Sequence, residues 1–155
     1  MKEEKRNMAN DTSPQEQGYF VQPENRVVEV SEDFLPQYIN IDQLPISLVS
    51  EGVGLKGVFG HNLMLSFVYM KPHSVAALHS HPEEQIGLVL EGEYEFELNG
   101  VRKLIGKGDV YIVPPGVPHG ARTHDKACLA LDIFAPPRSG YREMLEATHK
   151  VMTFD

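Results

Sequence analysis

Asn99-Gly100 stands between two runs of β-type residues, and this arrangement constrains the fold more than any other stretch. Ahead of it, Tyr94, Phe96 and Leu98 alternate with Glu93, Glu95 and Glu97. Side chains of a strand face opposite ways in turn, so this strand has one apolar and one wet face. Asn-Gly is the preferred pair for a two-residue type I′ turn. Val101 to Ile105 returns as the partner strand. Further strands are expected at Asn62 to Met70, Val110 to Val113 and Ala127 to Ala135. Ser139 to His149 reads as one short helix with Tyr141, Met144 and Leu145 on one side. The 155 residues include 13 Gly and 11 Pro, a density of turn-formers that favours many short strands. An all-β sandwich or barrel follows, in one domain over residues 27–155, preceded by a polar arm over residues 1–26.

The formal charge of −8 argues against nucleic acid or an anionic membrane as partner. It leaves room for a small anion at a locally positive site. The single cysteine, Cys128, excludes an intrachain disulfide framework. No run resembles a signal peptide or a bilayer span, so a cytoplasmic location is expected.

Seven histidines are present, and three have unusual settings. His79-Ser80-His81 puts two imidazoles at i and i+2, which share a face if the segment is a strand. Gln85 follows four residues later. His119 closes the turn Pro114-Pro115-Gly116-Val117-Pro118, whose backbone is nearly fixed and suits an aimed ligand. His61, His73, His124 and His149 read as structural or surface residues.

The segment from His79 to Gly92 resembles the first cupin motif, and Gly108 to His119 resembles the second. The likeness runs from about residue 63 to 134. It implies a double-stranded β-helix, a jelly-roll barrel, with a short C-terminal helix and one divalent metal ion at its mouth. Zn, Ni, Fe, Mn and Cu all remain open. The implied ligands are His79, His81, Gln85 and His119. Three positions depart from the pattern. His73 stands where a glycine is usual, Thr123 where an asparagine is common, and Gln85 where a glutamate is common. A His/His/Gln/His set carries no charge, so the ion would keep its full positive charge and favour an anionic ligand. Glu83 and Glu84 lack the ligand spacing and read as solvated charges.

In the last strand Cys128, Ala130, Asp132 and Phe134 share one face, and Leu129, Leu131 and Ile133 share the other. Periodicity leaves open whether Asp132 lines a cavity or meets solvent. The run Leu131 to Arg138, taken with His79 to Gln85, is similar to small cupins that linearise unsaturated uronates in pectin and alginate breakdown. That resemblance implies that Asp132 moves a proton, Arg138 grips a carboxylate and Phe134 packs on the sugar ring. The expected activity is a metal-dependent isomerase or lyase on a small anionic substrate, most simply ring opening of an unsaturated sugar acid. A metal-dependent dioxygenase and a non-catalytic small-acid binder are the alternatives. The aliphatic row Leu129, Leu131 and Ile133 predicts a homodimer that buries this outer face, with Val27 to Val30 as a possible added strand.

Overall fold

In the computed structural model, which describes residues 23–147 and 152–154, the chain divides between Leu35 and Pro36. Before that point the described residues hold one 3-10 turn, Glu32–Phe34, capped by the Ser31 hydroxyl accepting from Asp33 N at 3.3 Å. The β pattern therefore starts later than Val27. Val27, Val28 and Val30 are exposed and belong to no strand. β-Branched residues favour strands only where a neighbouring strand and a packed face receive them.

From Pro36 on, a 3-10 turn at Ile41–Gln43 leads into the strands. They are β1 (Ser47–Ser50), β2 (Val53–Phe59), β3 (Met64–Met70), β4 (Val75–His79) and β5 (Glu84–Leu98). β6 (Val101–Gly106), β7 (Val110–Val113), β8 (His119–Arg122) and β9 (Cys128–Ala135) follow, and then helix α1 (Tyr141–Ala147). All pairings are antiparallel, in the order β1-β2-β3-β9-β5-β8-β4, with β6 and β7 also on β5. The result is a nearly closed jelly-roll barrel with one short helix, the all-β architecture expected. β1, β2, β4 and β8 lie where the sequence pattern gave no clear strand. His149, expected at the end of the helix, lies outside the described residues.

β5 is the element that builds the barrel. Its first half pairs with β9 and β7, its second half with β6 and β8. The apolar run Ile86 to Leu90 and the alternating run after Glu93 are thus one strand of 15 residues serving two sheets. It crosses between them at Gly92, where φ is 76° and the ladder to β9 has just shifted register. A Cβ on Gly92 would lie 2.0 Å from the Ala127 carbonyl oxygen, so both conformation and space demand glycine. Beyond this bend, Tyr94 and Phe96 enter the core with Val53, Val89, Ile105 and Val113. The turn at Asn99-Gly100 forms as expected, with φ of 48° and 81°.

The outer face of β9 continues across its neighbours in register. Ile133 lies between Leu65 and Ile86, and Leu131 between Phe67 and Leu88. Ile112 and Val110 of β7 extend these two rows and are 58% and 61% exposed. At the other end, Phe154 packs edge-on against Tyr69 at 5.1 Å, and Met152 N donates to Ile46 O. Among the described residues no helix is long and apolar enough to cross a membrane.

Gly92 and Gly100 give a paired test of the crossing. Both have positive φ, but a Cβ at Gly100 meets nothing within 4 Å. Gly100→Ala should cost about 1 kcal/mol in urea unfolding, the backbone penalty alone. Gly92→Ala should cost roughly 3 kcal/mol or more, because the clash with backbone adds to that penalty. Equal losses would mean that the bend relaxes freely.

Candidate metal centre and acid cavity

β4 ends at His79, so His79 and His81 are not held on one strand as their spacing suggested; His81 lies in the link to β5. The imidazoles meet because backbone carbonyls aim them. His79 Nδ1 donates to Ala77 O at 2.7 Å, His81 Nδ1 to Glu83 O at 3.1 Å, and His119 Nδ1 to Val117 O at 2.9 Å. A carbonyl oxygen only accepts, so each Nδ1 carries the hydrogen and each Nε2 keeps a free lone pair. One ligand atom from each ring lies within 4.8 Å of the other two. His119 Nε2 is buried without a hydrogen-bond partner. Three converging imidazoles, one with an orphaned nitrogen, suit a first-row divalent ion. Burial pushes the His119 imidazole down to about 4 and also lowers His81, with the Arg138 charge adding to the shift at His81. Both rings are therefore neutral, the form that binds metal.

The second motif also braces the first: Gly116 N donates to His81 O at 2.8 Å. Gln85 is buried on β5, and its Oε1 lies 3.1 Å from His81 Nε2; with the hydrogen on Nδ1 both atoms are acceptors, so their lone pairs face one point as two ligands of one ion would. Glu83 corrects an expectation. It is buried rather than solvated, with Oε2 3.3 Å from His81 Nδ1, whereas Glu84 is exposed. An acceptor at that nitrogen reinforces the tautomer. His73 has φ 57°, so the backbone keeps the left-handed form even though the residue is not glycine. Thr123 is buried and ties the same loop, accepting from Ser74 N and donating to Lys71 O. His73 and His124 lie on the surface near Asp125 and Glu95.

A cavity of about 490 Å³ runs into the barrel from His79, His119 and Gln85. Asp132 and Phe134 point into it, which settles the alternative that periodicity left open. Burial raises the Asp132 carboxyl above the usual carboxylate range. Tyr111 donates to Asp132 Oδ1 at 2.6 Å, and Tyr94 donates to Tyr111 at 2.9 Å. Tyr111 reaches that position only because β5 has glycine opposite Asp132: a Cβ on Gly87 would lie 1.9 Å from the Tyr111 ring. Phe134 packs against His81 at 5.4 Å. The Arg138 guanidinium lies 4.3 Å from the Tyr141 ring centre, hydrogen-bonded to its hydroxyl, and 5.5 Å from Phe134. Cys128 lines the same cavity, its thiol pushed up to about 12 by burial, and so is unreactive.

The sequence reading missed Tyr94, Tyr111, Tyr141, Gly87 and Ser66. In the sequence Tyr94 reads only as part of an apolar strand face and Tyr111 only as part of a short strand, since a hydroxyl chain joining residues 17 and 21 positions apart leaves no local pattern. Ser66 Oγ is buried on the cavity wall with no hydrogen-bond partner.

A small antiparallel barrel with a buried acid and three converging histidines has the make-up of a barrel protein that could hold a metal ion. Residues 66–134 match the family model of the cupin domain, and this chain is similar to cupins in both sequence and fold. It is 45% identical over 67 residues to the H2HPP isomerase of Bacillus subtilis, a stretch covering 42% of this chain and 28% of that protein. It is 23% identical over 107 residues to the pectin degradation protein KdgF of Dickeya dadantii, covering 68% of this chain and 97% of that one. The solved structure of KdgF from Halomonas superposes with a TM-score of 0.64 at 27% identity, over 68% of this chain and 97% of that one.

His81→Ala and His119→Ala should each abolish one-to-one zinc uptake, measured by metal analysis after dialysis, with the circular dichroism spectrum unchanged. Full metal content in both variants would contradict the centre.

Proposed function

We propose that this cupin isomerises a small unsaturated carboxylic acid without net oxidation, at a divalent ion held by His79, His81, His119 and Gln85. The observation that carries this reading is the buried Asp132 carboxyl, which shares one cavity with His79, His119, Gln85 and Arg138. An ion bound by this uncharged set would polarise a substrate oxygen and attract an anion. Arg138 is steadied by the Tyr141 ring and hydroxyl and offers a planar pair of donors to the carboxylate. Asp132 moves the proton. Its raised pKa suits a group that must both take and give one near neutral pH. Tyr111 donates to Oδ1, and the Gln85 side chain also hydrogen-bonds the carboxyl, so the acid is held in a fixed orientation beside the candidate metal ligands. As an enol becomes a keto acid, the proton leaves the enol oxygen and a C–H bond forms at the neighbouring carbon, so no oxidant is needed. The likeness to KdgF supports an unsaturated sugar acid as the first substrate to test. The stretch shared with the H2HPP isomerase supports an isomerisation.

The direct test is a screen of unsaturated uronates and other unsaturated carboxylic acids against the metal-loaded protein, followed by proton NMR. Asp132→Asn should lower kcat at least a hundredfold with KM little changed. Arg138→Lys should instead raise KM about tenfold or more, because a point charge replaces the planar donor pair. Full activity of both variants on the substrate found would overturn these roles.

We further propose that such an enzyme pairs with a second copy of itself, the aliphatic rows across β7, β5, β9 and β3 meeting face to face. Burying a leucine-sized side chain is worth about 2 kcal/mol, and several are available. Light scattering should find a dimer at micromolar concentration and a monomer for Ile86→Asp/Ile112→Asp. A monomeric wild type would contradict the pairing.

A further inference from the structure

The strand register sorts the cavity wall into layers. At the mouth, Gln85 lies opposite Phe134, with Arg138 and the imidazoles around them. In the next layer Asp132 lies opposite Ser66, and Tyr111 reaches the same level. Below that the chemistry changes. Ala130 lies opposite Val68, which lies opposite Leu55. Cys128 lies opposite Met70, which lies opposite Val53. All six line the cavity, and the Cys128 thiol is the one polar group among them. Ala130 and Cys128 are small, which leaves space beside the core at these two levels. Tyr94 also borders the space, but its hydroxyl is engaged by Tyr111.

An apolar chamber of this kind stays dry and takes apolar guests. A hydroxyl held against these six residues has only the weakly bonding Cys128 thiol for a side-chain partner, which weakens binding roughly tenfold for each one. We infer that the acid acted on here carries an apolar body of about the size of a six-membered ring behind its carboxylate, and that Leu55, Val68 and Ala130 receive it. This rests on the proposed isomerase reading and narrows it. The reaction, the carboxylate at Arg138 and the proton at Asp132 stay as proposed, but the substrate is a ring acid poor in hydroxyls and not a sugar acid.

The test is calorimetric titration of the zinc-loaded full chain with cyclohexanecarboxylate, glucuronate and acetate. Cyclohexanecarboxylate should bind at least tenfold more tightly than either of the others. Ala130→Leu fills the chamber and should remove that advantage while acetate binding is kept. Val68→Thr, nearly the same shape, should narrow the gap between cyclohexanecarboxylate and glucuronate if Ala130→Leu fails to fold. Glucuronate binding as tightly as cyclohexanecarboxylate to the wild type overturns the inference. Arg138→Gln distinguishes this failure from that of the underlying reading. If that variant weakens all three acids while glucuronate matches cyclohexanecarboxylate in the wild type, only the apolar body is wrong. If that variant binds all three acids as the wild type does, the carboxylate site is wrong and the inference falls with it.

Discussion

Three hydrogen bonds from imidazole Nδ1 to backbone carbonyls hold the centre of this protein in place. Each acceptor lies two residues from its histidine, at Ala77, Glu83 and Val117. A short local bond of this kind fixes ring orientation and tautomer together, and it does so before any ion arrives. Nε2 is then the only ring nitrogen free to bind, and all three point to one place. The carbonyls themselves are placed by the fold. β4 and β8 pair so that His79 lies opposite His119, and the Gly116 amide ties the link that carries His81. The orphaned Nε2 of His119 is a cost that the bare protein bears for this arrangement.

A second constraint runs down the other side of the cavity. Asp132 sits buried without a cationic partner in direct contact, which would be expensive for an ionised carboxylate. The Tyr94–Tyr111 chain relieves part of that cost at one oxygen. Gly87 makes the room for it. The histidines, the acid and the tyrosines come from β4, β5, β7, β8, β9 and the links beside them, so the site exists only when the barrel is assembled.

Much of this was legible in the chain. The Asn99-Gly100 turn, the strand Val110 to Val113 and the inward face Cys128, Ala130, Asp132, Phe134 were readable because they depend on local conformation and period-two alternation. The three histidines that converge were readable because their spacing lies within two short motifs. Other features depend on distant partners. β5 looked like two segments, since Glu91-Gly92 interrupts the alternation, and only the facing β9 shows that one strand bends there. Glu83 looked solvated because its neighbour Glu84 is, yet its backbone carbonyl and carboxylate both face His81. The early valines looked like a strand, but β propensity without a neighbouring strand has no ladder to join.

The central claim is that the backbone sets the tautomer of three histidines and so prepares the metal centre in advance. Long-range proton–nitrogen NMR of the metal-free protein, labelled with nitrogen-15 at histidine, reads that tautomer directly near pH 7. His79, His81 and His119 should each appear as the neutral Nδ1–H form, and zinc should then shift their Nε2 resonances. An Nε2–H tautomer at His81 or His119 would contradict the account, because the nitrogen meant for the ion would already carry a proton.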